Sequence, residues 1–133
     1  VSGYELNVDF DDAGIEQAFR EAPAEMADGL LHAVDDSAAK LQADWRAGAR
    51  RSSGRHGKHY PASITHDVTI QDGAVTSDIG PDNAKLQGRM GRGFEYGSVH
   101  QPPHMDGATA FARNAEPFAD KVQAAIDHVV DML

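Results

Sequence analysis

The chain has 133 residues, 41% hydrophobic and 25% charged, with no cysteine and a net charge of −9. This is the size and balance of a single folded domain; it excludes disulfides and thiol catalysis and argues against a general nucleic-acid coat, which would be basic. No run of about 18 apolar residues is present to cross a membrane, and the first ten residues, VSGYELNVDF, lack the basic and apolar regions of a secretory leader, so the expected setting is the cytoplasm of the producing cell.

The first long signal is helical. Ile15, Phe19, Ala22, Met26, Leu30, Ala33, Leu41 and Trp45 recur at spacings of three, four or their sums, an apolar stripe of period 3.6. Asp11 or Asp12 is placed to cap its start, and Pro23 interrupts it at a position suited to the first turn of a second helix. The pattern predicts a short helix near 12–21 and a long one near 23–50. Residues 51–62 are rich in Gly, Ser and basic side chains and read as a flexible loop. The period then changes to two. Ile64, His66, Val68 and Ile70 alternate with polar residues, Asp72-Gly73 supplies a two-residue turn, and Val75, Ser77 and Ile79 continue on the return strand. An antiparallel hairpin over 64–79 is expected.

Residues 80–93 hold Gly88 and Gly91 among Lys85, Arg89 and Arg92 and read as a second flexible loop. A third strand is expected near 93–97. Alternation there would turn Phe94 and Tyr96 inward and Glu95 outward. The helical stripe returns from about 108 through Phe111, Ala115, Phe118, Val122, Ala125, Ile126, Val129 and Leu133, with Pro117 suggesting a start near 115–117. The expected fold is a single α+β domain over 1–133, a small antiparallel sheet packed by a long N-terminal helix and a C-terminal helix. So small a sheet leaves free edges.

Charge is distributed unevenly. Residues 1–44 carry eleven acids against Arg20 and Lys40, whereas residues 45–60 carry Arg46, Arg50, Arg51, Arg55 and Lys58 and no acid. Such asymmetry steers partners or matches one subunit to the next; a solvated acidic helix followed by a basic loop would look the same.

Catalytic patterns are weak. His56 and His59 form an HxxH, but a metal needs further ligands, and His100 and His104 sit, like them, among arginines and glycines. Glu95 between two aromatics suggests a general acid in an apolar pocket, yet strand alternation explains the triplet without chemistry. Ser52, Ser53 and Ser63 lack a nucleophile elbow, and GRMGRG lacks the ending of a phosphate-binding loop. No cofactor is expected.

Three blocks in order, GRHGKHYPASI, IGPDNAKLQGRMGRGFEYGS and QPPHM, resemble the HK97 gp10-like family of tailed bacteriophages, most of all its versions in phages of actinobacteria. Glu95-Tyr96-Gly97-Ser98 matches the family's E-[FY]-G-[ST] motif, and Ile79-Gly80-Pro81 lies upstream as it does there. The chain departs from the family at Pro103-His104, where Pro-Phe is common, and at Gly107, often a proline. The resemblance implies a non-enzymatic virion protein of the neck, joining head to tail or completing the tail. It would form a ring of its own copies, expected as a hexamer, between head-connector or stopper and tail-terminator proteins, after assembly in the host bacterial cytoplasm. Within such a ring the expected contact residues are Arg50, Arg51, Arg55, Lys58, Lys85, Arg89, Arg92 and Glu95, with Glu95 as an outward charge pairing an arginine and the basic loops free to meet genomic DNA. The rival reading is a small DNA-binding or metal-dependent nuclease module built on the HxxH loop.

Overall fold

A computed structural model describes residues 3–9, 24–71 and 74–132. The expected helix near 12–21 and the Asp72-Gly73 turn lie outside the described residues. Strand β1 (Tyr4–Asp9) is followed by helix α1 (Ala24–Ser52), a 3-10 turn (Arg55–Gly57) and the one-turn helix α2 (Tyr60–Ser63). Strands β2 (Ile64–His66), β3 (Thr69–Gln71) and β4 (Ala74–Pro81) come next, then a 3-10 turn (Gly88–Met90), the short helix α3 (Gly91–Tyr96) and helix α4 (Asp106–Met132). The fold is α+β, as expected.

β4 is the centre of an antiparallel sheet, with β1 on one side and β2 and β3 on the other. One register runs from Ile64↔Pro81 to Gln71↔Ala74, so β2 and β3 are one strand with its ladder interrupted. The interruption has a local cause: the Asp67 carboxylate accepts the Asp78 amide (3.1 Å), and the Asp67 carbonyl accepts the Ser77 hydroxyl. β1 was not expected. It pairs Tyr4↔Ile79, Leu6↔Ser77 and Val8↔Val75, which puts Leu6, Val8, Val75, Ser77 and Ile79 on one buried face. Glu5, Asn7, Thr76 and Asp78 alternate onto the other.

α1 and α4 cover the buried face. They run antiparallel, since Gly48 and Trp45 near the end of α1 meet Asp106 and Gly107 at the start of α4, while Leu30 near the start of α1 shares a cluster with Val122 and Ala125. The larger core cluster gathers Leu6, Leu41, Trp45, Tyr60, Ile64, Ile79 and Phe94; the smaller one gathers Val8, Leu30, Val34 and Val75. Burying each such side chain contributes about 1.5–3 kcal/mol. His66, at the edge of the inner face, lies between Gln42 (2.6 Å) and Asp35 (3.0 Å) and ties β2 to α1.

Three expectations are corrected. No strand covers 93–97: that segment is the last part of α3, and a run of three alternating residues is too short to separate period two from 3.6. α4 begins at Asp106, and Pro117 lies inside it. Pro117 is exposed, as is Arg113 four residues earlier, so water reaches the carbonyl that loses its amide partner. The segments 51–62 and 80–93, expected as open loops, each hold short helical turns, and side-chain bonds fasten one to the other.

Candidate functional site

The Glu95-Tyr96-Gly97-Ser98 segment builds a reversal. α3 ends at Gly97, whose φ of 85° suits a residue without Cβ and whose amide bonds the Gly93 carbonyl at 2.9 Å. A Cβ there would also lie 2.9 Å from the Pro103 nitrogen. Ser98 and Gln101 then pair through both backbone groups, which turns the chain back. The returning strand gives the His104 amide to the Phe94 carbonyl (2.7 Å) and the Met105 amide to the Glu95 carbonyl (3.1 Å), satisfying the end of α3.

Glu95 is 4% exposed, so its expected outward orientation is corrected. Its Oε1 accepts the Gly107 amide at 2.8 Å, and its Oε2 accepts the Ala108 amide and the Tyr4 hydroxyl, each at 2.8 Å. A buried carboxylate therefore caps the positive end of α4 and anchors β1 at once. Burial, then the bond to Glu95, pushes the Tyr4 hydroxyl above its ordinary pKa. Tyr4 also stacks on Phe111 and meets the edge of Trp45. His104 lies parallel to Phe94 with ring centres 5.5 Å apart, occupying the space an aromatic would fill. The triplet's other aromatic, Tyr96, is 60% exposed.

The two basic segments meet at the end of the molecule where α1 finishes. Gln87, in the left-handed region at φ 62°, accepts the His59 amide (2.7 Å) and donates to the His56 carbonyl (2.8 Å). Phe94 and Tyr60 pack beneath, with ring centres 4.8 Å apart. Arg50, Arg51, Arg55, Lys58, Lys85, Arg89 and Arg92 are all exposed, and among the described residues no Lys or Arg stands in a salt bridge. Arg46 differs from these seven: its guanidinium donates to the Ile64 carbonyl at 2.8 Å and is held inside the fold. With Arg46, segments 45–60 and 83–94 carry eight of the twelve Lys and Arg residues and none of the 21 acids. Away from this basic end α1 and α4 expose Asp28, Asp36, Glu116, Asp120 and Asp127 along their lengths, with Lys40, Arg113 and Lys121 among them. Asp35 and Asp28 also line a depression of about 590 Å³ there, with Leu31, His32, Val68 and Ile70.

A cleft of about 230 Å³ opens beside the basic end, lined by Asn83, Arg89, Arg92, Tyr96 and Trp45. Glu95 borders it, but its carboxylate is committed to α4. His56, His59 and His100 are exposed, and among the described residues no group of three or more His, Asp or Glu is placed to hold a metal ion. The Trp45 indole N–H and the Tyr60 hydroxyl are buried with no bond of normal geometry; burial pushes the Tyr60 hydroxyl up to about 12, against the lowering effect of the nearby Trp45 N–H. No described helix is long and apolar enough to cross a membrane.

Sequence reasoning found the cations of this end but missed Glu95 as a cap and Gln87 as the clamp. The first had no local signal, because the capped helix starts eleven residues downstream of Glu95. No family model, curated protein or solved structure matches the chain.

Proposed function

We propose that the chain is a structural subunit of a tailed-bacteriophage neck, assembling as a ring that joins the head connector to the tail, and that it is not an enzyme. The observation that carries this reading is the polarity of the molecule. One end gathers seven solvent-facing cations on the last turn of α1 and the two clamped segments, and the lengths of α1 and α4 away from it expose mostly acids. A surface of one sign that matches a different surface of the opposite sign favours head-to-tail association, the kind that closes into rings. The motif residues support the reading differently from the sequence expectation. Glu95 and Gly97 shape the frame, and Tyr96, Arg89 and Arg92 are left at its surface.

The test is the double reversal Arg89→Glu/Arg92→Glu. Both side chains are exposed, so thermal unfolding should stay within a few degrees of the parent, since surface changes of this kind shift stability by about 0.5 kcal/mol. Particle joining should fail, with unjoined heads and tails accumulating. A normal infectious titre from phage carrying this variant would sink the reading, as would absence of the protein from purified virions.

A further inference from the structure

The basic end has two chemically different halves. Between Lys85 and Met105, the cations Lys85, Arg89 and Arg92 are mixed with exposed Leu86, Met90, Tyr96 and Val99. From Arg50 to His59 the chain consists only of Arg, Ser, Gly, His and Lys, with no apolar side chain and no acid. Protein interfaces have cores that are apolar and depleted of charge, which fits the first half. Nucleic-acid interfaces are polar and strongly positive, which fits the second. Exposed Gly54, with open space where a Cβ would stand, lets a bulky phosphodiester approach the backbone, Ser52 ties the neighbouring Asp106 carboxylate by a hydrogen bond, and arginine donates two parallel bonds to phosphate oxygens. Gln87 holds Lys85 and Arg89 beside the strip, because its side chain bonds the backbone of His56 and His59.

We propose that the Arg50–His59 strip binds the phosphate backbone of double-stranded nucleic acid without reading its sequence. The proposal names a partner for the contact end and rests on the reading of that end as a docking surface. Four cations are available: Arg50, Arg51, Arg55 and Lys58, all exposed. Each neutralised phosphate contributes about −0.9 to the slope of log affinity against log salt, so the expected slope is roughly −4 if all four engage. The net charge of −9 opposes approach at long range, so binding is confined to low salt.

The experiment uses the full chain and a fluorescein-labelled 25-base-pair duplex of arbitrary sequence, read by anisotropy from roughly 50 to 250 mM salt, a range over which such contacts lose orders of magnitude in affinity. Binding at the low end, a steep slope and indifference to duplex sequence are expected. Arg55→Ala/Lys58→Ala, in an exposed turn, should lower the slope by roughly 2. Leu86→Ser/Val99→Ser, in the apolar half, should leave the DNA affinity unchanged. No binding at low salt, an unaltered slope in Arg55→Ala/Lys58→Ala, or displacement of the duplex by polyglutamate as readily as by unlabelled DNA would overturn the proposal, the last in favour of an acidic protein face. Failure here, with Arg89→Glu/Arg92→Glu still blocking particle joining, would remove the nucleic-acid partner and leave the neck reading intact; DNA binding with normal joining would do the reverse.

Discussion

Glu95 offers the sharpest test of the architecture, because the two descriptions of it predict opposite results. An outward carboxylate on a strand could be cut to alanine at almost no cost. The carboxylate observed here is 4% exposed and accepts three hydrogen bonds, from Tyr4, Gly107 and Ala108. Removing it orphans two amides in the first turn of α4 and one half-buried hydroxyl. Each buried donor left unpaired costs about 1–3 kcal/mol, and loss of a helix cap about 0.5–2 kcal/mol. Because these costs overlap, Glu95→Ala should lose roughly 4 kcal/mol, a large part of the about 5–15 kcal/mol that holds such a domain together. Glu95→Gln keeps one acceptor oxygen but turns an amino group toward a donor, and should lose roughly 2 kcal/mol. Tyr4→Phe removes the third donor and leaves the cap in place, for about 1 kcal/mol. The assay is urea unfolding followed by the fluorescence of Trp45, the chain's one tryptophan, which packs on Gly107 beside the cap. Since Tyr4 and Glu95 share a bond, their double-mutant cycle should show about 1 kcal/mol of coupling. A loss below about 1 kcal/mol in Glu95→Ala, or strict additivity with Tyr4→Phe, would refute the cap.

Three further outcomes follow from the same geometry. Tyr60→Phe removes a buried hydroxyl that lies against the Trp45 indole N–H without a bond of normal geometry, so it should change stability at neutral pH by less than about 1 kcal/mol in the same urea assay. In the parent the Tyr60 pKa rises from 10.0 unfolded to about 12 folded, so its contribution is complete below pH 10 and disappears as pH climbs through 12; alkaline unfolding should move to higher pH in Tyr60→Phe. Gln87→Ala should free the His59 amide to exchange hydrogen much faster while Leu41 and Ile79 amides in the core keep their protection, because it cuts the bonds between the two loops and touches no core residue. Gly107→Val should lose several kcal/mol and shift Trp45 emission, since even a single Cβ at that position would lie 2.6 Å from the indole ring.

What was legible in the chain was whatever repeats over many residues. The stripe through Leu30, Leu41 and Trp45 spans enough turns to fix α1 within two residues at its C-terminal end, and the alternation from Ile64 to Ile79 fixed the antiparallel pairing and the buried face except at Ile70, which is 61% exposed. β1 carried the same alternation in Tyr4, Leu6 and Val8, but six residues at one end of a chain give no partner until β4 is in place. The errors cluster where one residue outweighs a pattern. Pro117 reads as a helix start only if the freed carbonyl must stay dry, and it does not, because that side of α4 faces water. Phe94-Glu95-Tyr96 reads as a strand only if its glycines end one, whereas Gly97 ends a helix and sends the chain back.

The candidate site divides along the same line. Its cations were visible as a run of like charge, because charge patterning is a property of composition. Their arrangement was not, because it depends on Gln87 reaching from one loop to the backbone of another and on Glu95 reaching forward to a helix it does not belong to. Both are polar side chains bonded to backbone far away in sequence, and local propensity carries no trace of such bonds. That has a consequence for reading the Glu-Tyr-Gly-Ser motif. Its acid and its glycine are required by the fold, so substitutions there will impair any function of the chain by unfolding it. Only the exposed residues the frame presents, Tyr96, Arg89, Arg92 and the strip's Arg50, Arg51, Arg55 and Lys58, can report on contact separately from stability.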